Sequence, residues 1–280
     1  MTTRYEKAFA DLEAKNEGAF VPFLMLSDPT PADAVEIIKT IVEAGADALE
    51  LGVPFSDPIA DGPTIQKSHV RALDGGATVN MVIDQVRQIR EAYTDLPIGM
   101  LIYSNVPFVR GLDNFYKEFH EAGADSILLP DVPVREGKPF ADAAEANGVD
   151  PIFIAPAQAS KETLEGVAAR SKGYIYAVSR DGVTGTEKES DTTGLKDVVD
   201  NVKSYGGAPI LLGFGISNPQ HVADAIAAGA TGAISGSAVA KIIDKYVEGE
   251  HPNPGRVTDM DGLKKELTEF ISAMKAATKK

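Results

Sequence analysis

The sequence predicts an α/β protein: a single (β/α)8 barrel spanning residues 1–280, with an extra helix at its N-terminus. Three observations point there. Short apolar runs alternate with amphipathic stretches along the whole chain, giving about eight strand–helix units, the number a closed parallel barrel needs. The 280 residues come close to the roughly 250 of a complete TIM-type barrel. No Gly-x-Gly-x-x-Gly fingerprint follows the first strand, which counts against an open doubly wound sheet.

The elements follow in order. Tyr5, Phe9 and Leu12 share one face of a short N-terminal helix. Val21–Leu26 is the first strand, and Ala32–Ala44 a helix ended by Gly45. Ala48–Leu51 is a strand, with helical stretches after the ADGP turn and at Val79–Tyr93. Strand Ile98–Tyr103 precedes a helix near Asp113–Ala122, Ser126–Leu129 precedes Glu136–Ala146, and Pro151–Ala155 precedes Lys161–Ala169. After strand Tyr174–Val178 a long polar, Gly- and Thr-rich stretch (179–194) reads as a lid, before helix Leu195–Tyr205. Strands Pro209–Gly213 and Gly232–Ser235 lead into helix Pro219–Ala228 and a final helical region. Three helices end alike (EAGADALEL, EAGADSILL, AAGATGAIS), with Gly45, Gly123 and Gly229 where a helix C-terminus needs a left-handed residue. The Pro/Gly-rich Gly249–Arg256 is followed by helix Asp261–Met274, which closes the barrel rather than opening a second domain.

Composition removes several classes of function. The chain has no cysteine, so disulfides, thiolate metal sites and Cys nucleophiles are excluded. A net charge of −14 opposes a nucleic-acid partner. No apolar run is long enough to cross a bilayer, and the N-terminus lacks the apolar core of a secretory signal, so a cytoplasmic setting is expected. An anionic substrate must then be held by something other than a general positive field.

Barrel active sites lie at the C-terminal ends of the strands. In ALEL, period-two alternation turns Leu49 and Leu51 toward the helices and Glu50 into the barrel. A carboxylate buried there must be paired, wet or functional. No Lys or Arg falls within a predicted strand (Lys172, before Gly173, is nearest), which disfavours both a buried ion pair and a Schiff-base lysine. Asp61, in the following loop, reads as a second site carboxylate or a simple turn residue of ADGP. Asp57 is a turn former or a surface acid for a partner; Mg²⁺ ligation by Glu50, Asp57 and Asp61 stays open. His69, His120 and His221 fall in predicted helices and His251 in the Pro-rich segment, away from strand ends. The loops GFGIS (Gly213–Ser217) and SGSA (Ser235–Ala238) each run into a helix, and exposed amides at helix N-termini are anion sites.

The passages GAFVPF, LELGVPFSDPIADGPTIQ, DVPV, YIYAVSRDGVTG, LLGFGIS and AISGSA together make the chain resemble the tryptophan synthase α-subunit family over essentially its whole length. The resemblance implies a lyase of tryptophan biosynthesis that cleaves indole-3-glycerol phosphate to indole and glyceraldehyde 3-phosphate. Glu50 would be the general acid–base and Asp61 the counter-charge for the indole nitrogen. Phe23, Leu101, Tyr103, Leu128, Tyr176, Phe214 and Ile234 would surround the indole ring, and Gly185, Gly215, Gly236 and Ser237 would hold the phosphate. It also implies a partner, a pyridoxal-phosphate β subunit in an α2β2 assembly. That partner would be met by Asp57, Pro133 and the loop Asn105–Val109, whose Pro107 and Phe108 read as exposed; this chain would carry no cofactor. MLSDP (Met25–Pro29) departs from relatives that carry Thr or Ala, then Gly, before Asp-Pro. The alternatives are another barrel enzyme acting on an indole or sugar phosphate, and a weakly catalytic barrel that mainly activates a partner.

Overall fold

A computed structural model describes residues 2–178, 195–249 and 251–280. The stretch 179–194, read above as a lid, and Gly185 within it lie outside the described residues. Nine strands form one parallel sheet: β1 (Ala19–Met25), β2 (Leu49–Gly52), β3 (Ile98–Leu101), β4 (Ser126–Leu128), β5 (Asp150–Ile152), β6 (Ile154–Pro156), β7 (Ile175–Val178), β8 (Ile210–Gly213) and β9 (Gly232–Ser235). Their order is β5-β4-β3-β2-β1-β9-β8-β7-β6. The two outermost strands, β5 and β6, are successive pieces of one chain run. At the break the Phe153 N–H donates to Ser171 Oγ at 3.3 Å, and its carbonyl accepts the Tyr176 N–H at 3.2 Å. The sheet therefore closes on itself as an eight-stranded barrel with helices between successive strands.

Alternation along the strands sorts the side chains into two cores. Val21, Phe23 and Met25 of β1 join Tyr174, Tyr176, Leu211 and Ile234 inside the barrel. Phe20, Leu24, Leu49 and Leu51 pack outward against the helices, among residues such as Ile37, Ile41 and Val86. Burial of each such leucine is worth about 1.5–3 kcal/mol, so a one-residue slip of β2 would lose both leucines and expel Glu50. The N-terminal helix Arg4–Ala14 extends this order to the barrel floor. Its Tyr5 is buried, bonds Ser126 Oγ at 2.9 Å and tilts against the Tyr174 ring at 5.4 Å.

Local signals set the element ends. Thr3, Thr30, Thr78, Ser160, Asn218 and Asp259 each cap the helix that follows through a side-chain oxygen. Gly45, Gly123 and Gly229 adopt φ of +113°, +103° and +96° and turn the chain straight into the next strand, as the repeated turn motif predicts. The first strand starts two residues earlier than its apolar run suggests. Val247–Glu248 and Arg256–Val257, which bracket most of the Pro/Gly-rich segment, pair as a small antiparallel ribbon. Helix Met260–Ala276 then packs across helices Pro31–Glu43 and Pro219–Ala227.

Candidate active site

At the C-terminal ends of the strands a pocket open to solvent, with about 440 Å³ of empty space counting its mouth, is lined by Phe23, Glu50, Asp61, Ile65, Leu101, Tyr176, Phe214, Gly215, Ile216, Ile234, Gly236 and Ser237. No Lys or Arg is among these lining residues. Glu50 comes from β2, where its register partners are Phe23 of β1 and Gly99 of β3. It is 1% exposed and accepts the Tyr174 hydroxyl on Oε1 at 2.7 Å. Burial pushes its carboxyl up to about 7; the Tyr174 hydrogen bond pulls down against this, and the charge of Asp61 adds to the rise. A group titrating near neutrality can give and take a proton within one turnover.

Asp61 belongs to the irregular segment between β2 and helix Pro63–Asp74, so the strand does not orient it. Local bonds do. Its carbonyl accepts Gln66 Nε2 at 2.7 Å and its N–H donates to the Pro58 carbonyl at 3.1 Å. Its Oδ2 accepts the Tyr103 hydroxyl at 2.8 Å and lies 3.2 Å from His69 Nε2. Tyr103 thus stands behind Asp61 rather than on the cavity wall, with its ring stacked on Phe55 at 5.2 Å. Leu128 sits deeper, within the barrel core. Among the described residues, no three His, Cys, Asp or Glu side chains come together in a way that could hold a metal ion, so Glu50, Asp57 and Asp61 do not form the Mg²⁺ cluster left open above.

The two glycine loops differ, which corrects the expectation that both open onto a helix N-terminus. After β8 the helix Pro219–Ala227 starts beyond Asn218, whose own side chain takes the His221 N–H. After β9 the helix Ser237–Lys245 starts directly at Gly236, which has no side chain to cap it. Among the described residues no side chain caps this helix, and an uncapped helix N-terminus can take an anion. The loops are tied together by Ser235 Oγ, which donates to the Ile216 carbonyl at 2.6 Å. Phe214 and Gly215 both take positive φ, +67° and +73°, folding this loop back over the cavity. Gly213 is obligatory for another reason: a Cβ there would stand 2.1 Å from the Tyr176 hydroxyl.

Sequence reasoning missed four residues. Ile65 and His69 lie one turn apart on helix Pro63–Asp74, and that i, i+4 spacing is the signal that marks them. Tyr174 precedes Tyr176 by two on the inward face, so alternation alone could have found it. Ile216 carries no such mark. The departure at Ser27 also acquires a reading. Ser27 takes φ +64°, a left-handed backbone that favours glycine, and its Oγ donates to Gln85 Oε1 at 2.7 Å.

On the same rim, Asp57, Asn105 and Pro133 are exposed, and Phe108 is 77% exposed. Pro107, read above as exposed, is buried. The stretch containing it is a short helix, Asn105–Arg110, rather than a loop, because its turn is hydrogen-bonded and rolls Pro107 inward. Asp131 accepts from the Ser104 N–H at 3.0 Å and from Ser104 Oγ at 2.7 Å, which sets this helix beside the segment carrying Pro133. Ile59 and Val109, 76% and 85% exposed, extend the apolar surface.

Fold and site define a class: a (β/α)8 enzyme of acid–base type, whose cavity offers carboxylates, an apolar wall and the N-terminus of a helix. Comparison with known proteins narrows it. The tryptophan synthase alpha chain family profile matches residues 9–275. The chain is 72% identical over 278 residues to the tryptophan synthase alpha chain of Corynebacterium glutamicum, covering 99% of each. The Corynebacterium efficiens alpha chain gives the same identity and coverage. The crystal structure of tryptophan synthase subunit alpha from Legionella pneumophila superposes with a TM-score of 0.84 at 30% identity, covering 99% of each chain. The chain belongs to the tryptophan synthase alpha chain family.

Proposed function

We propose that Glu50 and Asp61 are the two carboxylates with which this chain, as the α subunit of tryptophan synthase, cleaves indole-3-glycerol phosphate to indole and glyceraldehyde 3-phosphate. The observation that carries the assignment is Glu50 itself: fully buried, in the cavity wall, and pushed up to about 7. Breaking the bond between indole C3 and the side chain needs an electron sink. Protonation of C3 turns the ring into that sink, with the positive charge on the ring nitrogen. Glu50 supplies this proton, and its carboxylate then takes the proton from the hydroxyl on the departing carbon. That carbon becomes an aldehyde, the bonding electrons return to the ring, and Glu50 ends as it began. Asp61 provides the negative charge opposite the nitrogen.

Phe23, Leu101, Tyr176, Phe214 and Ile234, with Ile65 and Ile216, offer the apolar wall for the ring. Gly215, Gly236 and Ser237 offer amides for the phosphate; Gly185 belongs to the same proposal from the sequence alone. Tyr103 acts through Asp61, and Leu128 supports the wall from beneath.

The chain works with a β subunit. The finer proposal is an α2β2 assembly in the cytoplasm, in which Asp57, Asn105, Phe108 and Pro133 meet the β subunit, Pro107 supports Phe108 from below, and pyridoxal phosphate belongs to the β subunit. One barrel unit, residues 1–280, holds the whole α site. Indole release from indole-3-glycerol phosphate, measured with and without the β subunit, tests this reading. Wild type should release indole in both conditions, faster with β, while Asp61→Asn should lose turnover in both. An Asp61→Asn chain as active as wild type would overturn the two-carboxylate assignment.

A further inference from the structure

His69 has no part in the chemistry above, yet it is 1% exposed and packed against Asp61. Its Nδ1 accepts the Phe55 backbone N–H at 3.0 Å. A backbone amide can only donate, so Nδ1 presents its lone pair and the ring proton of the neutral imidazole sits on Nε2. Nε2 lies 3.2 Å from Asp61 Oδ2. The main chain therefore selects the tautomer that donates to the carboxylate. On the other side of the same oxygen, Tyr103 donates at 2.8 Å while accepting the Ala60 N–H at 3.0 Å.

We propose that His69 is a positioning residue for the α reaction: its backbone-locked Nε2–H holds Asp61 Oδ2 so that the carboxylate stays aimed at the indole nitrogen. This rests on the reading of Asp61 given above. The need for it follows from where the two carboxylates come from. Glu50 projects from a strand held on both sides by register partners. Asp61 comes from an irregular loop, where a free side chain would sample several rotamers, and counter-charges work only when held close to the productive geometry. Ile65, one turn before His69, lines the cavity, so the same helix face that builds the wall delivers the imidazole.

The test uses the full chain with its β subunit and indole-3-glycerol phosphate, comparing His69→Leu, His69→Gln and Asp61→Asn. Leucine removes both hydrogen bonds, whereas the glutamine amide nitrogen can stand where Nε2 stands. Because the nitrogen charge develops in the transition state, the loss should fall on kcat. His69→Leu should lower kcat about 10- to 100-fold with KM within about 3-fold, and His69→Gln should return kcat to within about 3-fold of wild type. Unchanged kcat in His69→Leu beside an inactive Asp61→Asn overturns the role of His69 alone; so does equal impairment of the leucine and glutamine variants. An active Asp61→Asn overturns the Asp61 reading and this one with it. If the leucine variant does not fold, ¹⁵N NMR of the wild-type chain decides. A protonated Nε2 with a bare Nδ1 supports the lock, and the reverse tautomer overturns it.

Discussion

Replacing Glu50 by glutamine should destroy turnover and make the protein more stable, but only at neutral and alkaline pH. The ordinary carboxyl value of 4.5 is raised to about 7 in the folded chain, chiefly by burial. That shift corresponds to roughly 3 kcal/mol by which the folded state disfavours the charged form. The direction follows from linkage: a carboxyl raised on folding contributes stability that is fully present below pH 4.5 and lost as pH rises through about 7. Glutamine is neutral throughout and never bears this cost, and the Tyr174 hydroxyl can still donate to its amide oxygen. The variant should therefore gain about 3 kcal/mol over wild type at pH 8 and less than about 1 kcal/mol near pH 5. For a chain of this size that is a rise in Tm of about 5 °C at the higher pH. Thermal melts of both proteins at pH 5 and pH 8, run beside the indole-release assay, provide the comparison. Turnover should fall by about 10²-fold or more. An equal gain in Tm at both pH values, or none at pH 8, would refute the claim that a buried, ionising Glu50 weakens the fold for the sake of the reaction.

Three other perturbations probe neighbouring parts. Tyr174→Phe removes a hydrogen bond that favours ionised Glu50, so the midpoint of the Glu50-dependent limb of the kcat–pH profile should move upward by about one unit; a profile that stays put assigns that limb to another group. Gly213→Ala puts a methyl 2.1 Å from the Tyr176 hydroxyl and 2.2 Å from Cζ, driving the ring into the cavity. Turnover should fall about 10-fold or more while circular dichroism shows an intact barrel; wild-type kinetics would show that the ring has somewhere else to go. Phe108→Ser should weaken binding to the β subunit about 10-fold or more, measured by calorimetry, while the isolated chain keeps its basal rate within about 2-fold. Unchanged affinity would remove this short helix from the interface.

Much of the fold was legible because barrel strands and helices obey short-range rules. The inward turn of Glu50 follows from Leu49 and Leu51 alone, and the closing turns follow from Gly45, Gly123 and Gly229. What escaped depends on contacts far apart in sequence or on hydrogen-bond accounting. Tyr174 meets Glu50 across 124 positions. The difference between the two glycine loops lies in one residue, Asn218, whose side chain takes up an amide that the sequence reading had left for phosphate. The Asn105–Arg110 turn carries an internal proline and reads as loop, yet it winds into a helix and takes Pro107 with it.

One sequence-level absence and one structural device follow from the same requirement. No Lys or Arg enters strands β1 to β9, and none of the described residues lining the cavity is a cation, although the substrate carries a phosphate. A cation within about 4–6 Å of Glu50 would favour its charged form and pull its titration down by about one to three pH units. The carboxyl would then be a poor acid at neutral pH, and C3 of the ring would go unprotonated. Phosphate binding at the N-terminal amides of helix Ser237–Lys245, as proposed above, would avoid that conflict, since a helix terminus acts over about one turn and carries only a partial charge. Sheet order keeps the two functions apart as well. Glu50 and Asp61 come from β2 and its loop, the loops proposed for the phosphate follow β8 and β9, and β1 with Phe23 stands between them. The net charge of −14 suits the proposed chemistry: local dipoles would hold the anion, and among the described residues lining the cavity no cation stands beside Glu50 to fix its charge.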